Sequence, residues 1–220
     1  MESIKQVWPH DLLTFNKISD LVLGENPLPE WAKDSLAKAK IVVVRRGEID
    51  NNLIPVGIRG FQRNERLACF LKKEQAVNCY SPDYFIKKQL WKELTPARQN
   101  LPQFQALIKM VSLLKEFKWG IGGSVAYEMA TGMKIVKNNS EHISDLDVIL
   151  SATKEISVSQ ARELLRKINL YGVHADVQVV HGEKGFSLEE YAAGRNKKVL
   201  IKTATGPILV ENPWNFVRKE

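Results

Sequence analysis

Two aspartates two residues apart, Asp145 and Asp147, lie in the run Ser144-Asp145-Leu146-Asp147-Val148-Ile149-Leu150. The apolar residues that follow mark a β-strand from Leu146 to Leu150, and side chains alternate across a strand. Both carboxylates therefore share one face while Leu146 and Val148 point the other way. Neighbouring carboxylates repel, and a fold tolerates them most readily in water or around a cation. Hard oxygen ligands suit Mg²⁺, which keeps several waters and takes one or two carboxylates plus substrate phosphates. A third acid, Asp176, enters the β-branched run Ala175 to Val180, where a charge is locally unfavourable. If the two strands are neighbours, the three acids form a cluster able to hold two metal ions. Such a pair clamps the attacking and leaving oxygens of phosphoryl or nucleotidyl transfer. Each acid taken singly also suits a strand end facing solvent.

A second feature is Trp119-Gly120-Ile121-Gly122-Gly123-Ser124, a short strand leading into a helix. Glycines let the backbone approach an anion closely, and a helix N-terminus offers unpaired N–H groups and a favourable dipole. Ser124 adds a hydroxyl and is a natural N-cap for a helix over Val125 to Thr131, with Gly132 as its stop. Gly122, Gly123 and Ser124 are thus the expected phosphate cradle. A glycine pair before a helix is, by itself, more often only a turn.

The elements that must position these residues fall into two regions. In the first, Leu12 to Phe15 is a short apolar segment and Pro29 to Lys40 carries a helical stripe of Trp31, Leu36 and Ala39. Strand-like runs follow at Ile41 to Val44, Ile54 to Ile58 and Leu67 to Leu71, with turn chemistry at Gly47 to Asn52. The second region opens with an amphipathic helix over Phe104 to Phe117, then holds the turn and the acidic strand. A helix over Ser159 to Leu170 comes next, then the Asp176 strand, then a hairpin joining Val199 to Ile201 with Ile208 to Val210. Pro82, Pro96 and Pro102 mark Ser81 to Pro102 as the boundary. The expected architecture is α+β: a small lobe over 1–95 and a catalytic domain over 96–220 with a mixed sheet flanked by helices. The polar segment Met133 to His142 is given no role.

The order glycine-glycine-serine turn, helix, Asp-x-Asp strand and later aspartate resembles the DNA polymerase β nucleotidyltransferase superfamily. The resemblance implies that Asp145, Asp147 and Asp176 bind two Mg²⁺ ions (or Mn²⁺). It also implies that Gly123 and Ser124 hold the phosphate tail and that Asp176 helps deprotonate the attacking hydroxyl. IGGSVAYEMATG, SDLDVIL, ADVQVV and KVLIKTATGPILVE are similar to malonate decarboxylase holo-acyl-carrier-protein synthase, the phosphoribosyl-dephospho-CoA transferase family. Pro9-His10-Asp11-Leu12-Leu13, Val44-Arg45-Arg46 and IPVGIRG at 54–60 extend the similarity over nearly the whole chain. It implies transfer from 2′-(5″-triphosphoribosyl)-3′-dephospho-CoA to a serine of the apo acyl carrier protein of malonate decarboxylase, with release of pyrophosphate. His10, Arg45, Arg46, Arg59, Arg63 and Lys202 are then candidates for donor or carrier contacts, although surface solvation would explain any one of them.

The bulk composition agrees with an enzyme of anionic substrates and does not specify one. The chain has 220 residues, 44% hydrophobic and 26% charged, as in ordinary globular proteins. A formal net charge of +7 favours anionic partners through long-range attraction. No apolar run approaches the roughly 20 residues that cross a bilayer, and the opening residues lack a secretory signal. The expected setting is the cytoplasm, with Cys69 and Cys79 as free thiols. Two other readings stay open at this point: transfer of AMP from ATP to protein or RNA, and a basic nucleic-acid-binding module. Against the module, the sequence has no run of exposed-looking aromatic residues interleaved with basic ones and no zinc or helix-turn-helix signature.

Overall fold

The computed structural model describes residues 6–25, 27–139, 143–195 and 197–218. The end of the polar segment, 140–142, therefore lies outside the described residues. The first lobe runs β1 (Leu12–Thr14), β2 (Leu21–Val22), α1 (Glu30–Lys38), β3 (Ile41–Val44), β4 (Leu53–Arg59), β5 (Arg66–Lys72) and β6 (Asn78–Tyr80). Its six strands form an antiparallel sheet in the order β2-β5-β4-β3-β1-β6. Alternating residues of β4, Ile54, Val56 and Ile58, are buried against Ala32 and Leu36 of α1. That burial holds the long β4–β5 ladder rigid up to its last pair, Arg59 opposite Arg66.

Three helices lead into the second lobe: α2 (Pro82–Lys88), α3 (Pro96–Gln99) and α4 (Pro102–Leu113). The stretch expected to be a boundary is therefore helical and packed. Phe85 and Trp91 lie in the same core as Phe104, Leu107 and Met110. Each proline sits in the first turn of its helix, where the missing N–H costs nothing. The helix expected to reach Phe117 ends at Leu113, and the Lys115-Glu116 pair beyond it leaves the helix.

The second sheet follows: β7 (Trp119–Ile121), α5 (Gly123–Thr131), β8 (Leu146–Ser151), α6 (Val158–Asn169) and β9 (Ala175–His181). It continues through β10 (Lys184–Ser187), α7 (Leu188–Ala193), β11 (Val199–Thr203), β12 (Gly206–Val210) and α8 (Pro213–Arg218). The strand order is β12-β11-β10-β9-β8-β7, and only β8 and β9 run parallel. The mixed sheet flanked by helices makes the fold α+β, as the pattern of the sequence indicates. α6 is the crossover that a parallel pair requires. Its Ser157 N-cap and Gln160 form a reciprocal capping box. The sequence pattern contains no sign of β10, α7 or α8, and it places the cap of α5 two residues too late. Gly122 is the N-cap, and Ser124 is the second helical residue.

Candidate active site

The β8–β9 register sets Asp147 directly beside Asp176. The strands are buried on their other face through Leu146, Val148, Ala175 and Val177, so the alternation turns both carboxylates away from the core. They border a cavity of 190 Å³ shared with Asp145 and Ser124. Gly122 donates its N–H to the Asp147 carbonyl at 2.8 Å, which ties the start of α5 to the acidic strand. Gly123 adopts φ +59° against the Asp147 carboxylate, and a Cβ there would lie 1.7 Å from Oδ2. Only glycine meets both demands. The glycine-serine turn is thus in direct contact with Asp147, whose strand partner is Asp176.

Asp145 occupies the rim. It is half exposed, and its Oδ1 lies 3.6 Å from Nδ1 of His174. Among the described residues no three carboxylate, imidazole or thiol groups already lie close enough together to hold a metal ion. The donor set nevertheless fits a hard divalent cation. It is all oxygen, and Asp147 carries the mark of crowded negative charge. Burial first, then Asp176, raises its pKa, while Arg59 and Arg66 oppose the rise. Asp147, Asp176 and Asp145 would be the residues to hold such a cation, whose charge would offset that crowding.

The other wall of the cavity comes from the first lobe. Arg59, Arg63 and Arg66 of the β4–β5 hairpin face the acids, and Lys137 adds a fourth cation. Arg59 and Arg63 were candidates in the sequence; Arg66 was not. It stands in the polar run Gln62-Arg63-Asn64-Glu65-Arg66, and only its pairing with Arg59 reveals it. The Arg59 guanidinium has its pKa lowered to about 10, chiefly by burial and next by Arg66. The remaining basic candidates lie elsewhere. Arg46 donates from Nε to the Glu183 carbonyl at 2.8 Å, at the turn between β9 and β10. His10 is near it: burial, then Arg46 and Lys202, lower its pKa to about 4, so it is neutral at pH 7. Arg45 is exposed, with its stem beside Gly57. His10, Arg45, Arg46 and Lys202 do not line the acid cavity.

A larger cavity of 630 Å³ lies at the far end of the same strands, against Ser151, Val180 and Trp8. We assign the chemistry to the smaller one because the acids, the turn and the arginines converge only there. Its floor is braced from below. Glu128 of α5 is buried and receives Arg98 in two hydrogen bonds of 2.6 and 2.8 Å, and also accepts the Val136 N–H at 2.8 Å. Gln103 donates to the carbonyls of Lys137 and Ser144 at 3.0 and 3.1 Å. These contacts fix the segment that delivers Lys137 and leads into Asp145. Removing one partner of a buried ion pair leaves an uncompensated charge and costs about 3–5 kcal/mol. Glu128→Ala should therefore lower unfolding stability by that order, measured by urea denaturation, whereas a loss below about 1 kcal/mol would mean the pair is dispensable.

Three carboxylates, the glycine-serine helix start and four cationic side chains thus meet around one small cavity. Two family models together match most of the chain. The phosphoribosyl-dephospho-CoA transferase MdcG C-terminal domain matches residues 89–213, and the MdcG N-terminal domain matches residues 8–82. The chain belongs to the phosphoribosyl-dephospho-CoA transferase MdcG family. Among its relatives, the phosphoribosyl-dephospho-CoA transferase of Pseudomonas fluorescens (strain Pf0-1) is 33% identical, over 89% of this chain and 93% of the relative. That of Pseudomonas syringae pv. tomato is 34% identical over 98% and 97% of the two chains. The Klebsiella pneumoniae (strain 342) protein is 30% identical over 94% and 96%. No solved structure matches.

Proposed function

We propose that this chain transfers the phosphoribosyl-dephospho-CoA group to a serine of the apo acyl carrier protein of malonate decarboxylase. The donor is 2′-(5″-triphosphoribosyl)-3′-dephospho-CoA. A bond forms between the serine oxygen and the donor's α-phosphorus, the α–β phosphoanhydride bond breaks, and pyrophosphate leaves. Full-length similarity to relatives named phosphoribosyl-dephospho-CoA transferase supports the reaction. The observation that carries it is the single cavity in which three acids, the glycine-serine turn and the hairpin arginines meet.

Each residue has a role that follows from its position. The backbone at Gly123 and the Ser124 hydroxyl open α5 and are suited to holding phosphate oxygens at the positive end of the helix. Asp176 receives the serine proton, which a hydroxyl does not give up readily at neutral pH. Asp145, Asp147 and Asp176 would hold Mg²⁺. When bound, the metal supplies charge neutralisation on the triphosphate and activates the incoming oxygen. Arg59 and Arg63 add fixed positive charge where negative charge develops on the leaving group. The excess positive charge of the chain should speed encounter with an acidic carrier domain. The same reading carries a cytoplasmic setting, which suits the unpaired thiols Cys69 and Cys79. Among the described residues no helix is long and apolar enough to cross a membrane.

The test is incubation with the donor, Mg²⁺ and candidate apo carriers, with carrier mass and pyrophosphate followed together. One pyrophosphate should appear per carrier that gains the mass of the prosthetic group. Chelation of Mg²⁺ should stop both, and alanine at the carrier's acceptor serine should remove the mass gain. An AMP-sized addition from ATP, with none from the dephospho-CoA donor, would overturn the donor assignment.

A further inference from the structure

We infer that the β4–β5 hairpin of the first lobe is a clamp for the leaving pyrophosphate, and that Arg66 contacts it alongside Arg59 and Arg63. This rests on the reading above only in naming the anion as part of the donor. Arg59 and Arg66 are direct partners in an antiparallel ladder. Like charges so placed repel, and the arrangement needs a counter-charge between or above them. Asp147 supplies part of it, lying close enough to feel both guanidinium groups. Yet Arg59 Nε is buried and has no hydrogen-bond partner among the described residues. A guanidinium left in that state is poised for an acceptor the protein itself does not provide.

The hairpin's own bonding aims these side chains. Ser35 of α1 donates to the Arg59 carbonyl at 2.5 Å, which anchors the end of β4. In the tip, Glu65 accepts the Gln62 N–H at 2.8 Å and Gly60 donates to the Glu65 carbonyl at 2.9 Å. Arg66 Nε is spent on the Arg63 carbonyl at 3.1 Å, which leaves its terminal nitrogens as the donors for an anion in the cavity it lines. Three planar forks on a braced tip suit phosphate oxygens better than three lysines on a loop would. Opposite them stands the α5 turn, so the phosphates are held by backbone N–H groups of one lobe and guanidinium groups of the other.

Charge in the cavity points the same way. Arg59, Arg63, Arg66 and Lys137 face three aspartates. In the absence of donor the arginines temper the carboxylates. Divalent cations held by those carboxylates would offset their charge and leave the guanidinium charge for phosphate. The hairpin thereby makes the first lobe part of the active site, and release of pyrophosphate becomes release from the hairpin.

The test uses the intact protein and inorganic pyrophosphate, titrated by calorimetry with and without Mg²⁺. Charged hydrogen bonds of this kind correspond to affinity changes of about ten- to a hundredfold. Arg66→Ala and Arg63→Ala should each weaken pyrophosphate binding by that order, and Arg66→Lys should recover part of it. Lys92→Ala, which removes one exposed charge outside the cavity, should bind as wild type does. Circular dichroism should be unchanged in all of them. In turnover, Arg66→Ala should relieve product inhibition by pyrophosphate while KM for the carrier stays the same. Equal pyrophosphate affinity in wild type, Arg66→Ala and Arg63→Ala would overturn the clamp, as would absence of binding to wild type. Failure of the donor assignment shows separately, as an unmodified carrier whatever the pyrophosphate affinity.

Discussion

Asp147→Asn should reduce transfer by about a thousandfold or more, because losing one preorganised charge at the reacting phosphate costs on the order of 4 kcal/mol of transition-state stabilisation. The same change should leave the metal-free protein at least as stable at neutral pH. Burial and Asp176 raise the Asp147 pKa, so the folded protein holds that proton more tightly than the unfolded chain does. The stability this contributes is fully present below the ordinary aspartate pKa of about 4 and is lost as pH rises through the folded value. Above the folded value the ionised carboxylate is therefore a burden that asparagine lacks. Melting curves without metal should place the variant at or above wild type at pH 7, with the gap closing towards pH 4. Turnover near wild type at saturating Mg²⁺ would remove Asp147 from the chemistry. A large drop in melting temperature would mean that its contacts with the arginines outweigh the crowding.

Gly123→Ala should be nearly as damaging, and for a steric reason. The added Cβ would fall 1.7 Å from Asp147 Oδ2 and 2.4 Å from Cγ, at a backbone φ of +59°. Neither the strand nor the helix start can yield without moving the other, since Gly122 is hydrogen-bonded to the Asp147 carbonyl. The left-handed conformation alone costs about 1–2 kcal/mol for alanine. The collision must then displace the carboxylate, and a misplacement of 1 Å can cost about a hundredfold in rate. Transfer should fall by at least that factor, and stability by about 2 kcal/mol or more. Ser124→Ala removes one buried hydroxyl and adds no atom that could collide, so its loss should be smaller, about tenfold or less. Donor titrations on both variants beside wild type give the comparison. Equal donor affinity in all three would count against a phosphate cradle at this turn.

The acidic half of the site was legible because period two is a local property of a strand. Asp145 and Asp147 could be set on one face from spacing alone, and the glycine pair before a helix announced a close backbone approach. The pairing of Asp147 with Asp176 depends on register between distant segments, which the sequence could express only as a condition. The arginine half was harder. Arg59 ends a readable strand, but Arg66 begins one inside Gln62-Arg63-Asn64-Glu65-Arg66, whose polarity is that of a loop. Charge and family position do not say which basic residues share a cavity: His10, Arg46 and Lys202 lie near one another, with Arg46 bonded to the Glu183 carbonyl, away from the acids. Pro82, Pro96 and Pro102 mark a stretch between two regions, and each also begins a helix, because proline's first-turn preference applies equally to packed and linking segments. The strand Lys184–Ser187 was missed because four residues with one glycine carry too little periodicity.

The parallel pairing of β8 and β9 has a consequence for how the molecule is made. Every strand of the arginine-bearing sheet lies between Leu12 and Tyr80, and its ladders are antiparallel. β9 joins β8 only after the α6 crossover has been synthesised, and non-local parallel pairing is slow. Domains tend to fold as units from the N-terminus during synthesis. The ribosome thus completes the guanidinium wall while the segment carrying Asp176 is still unmade. The like-charged carboxylates are brought together last, against a counter-charge already in place.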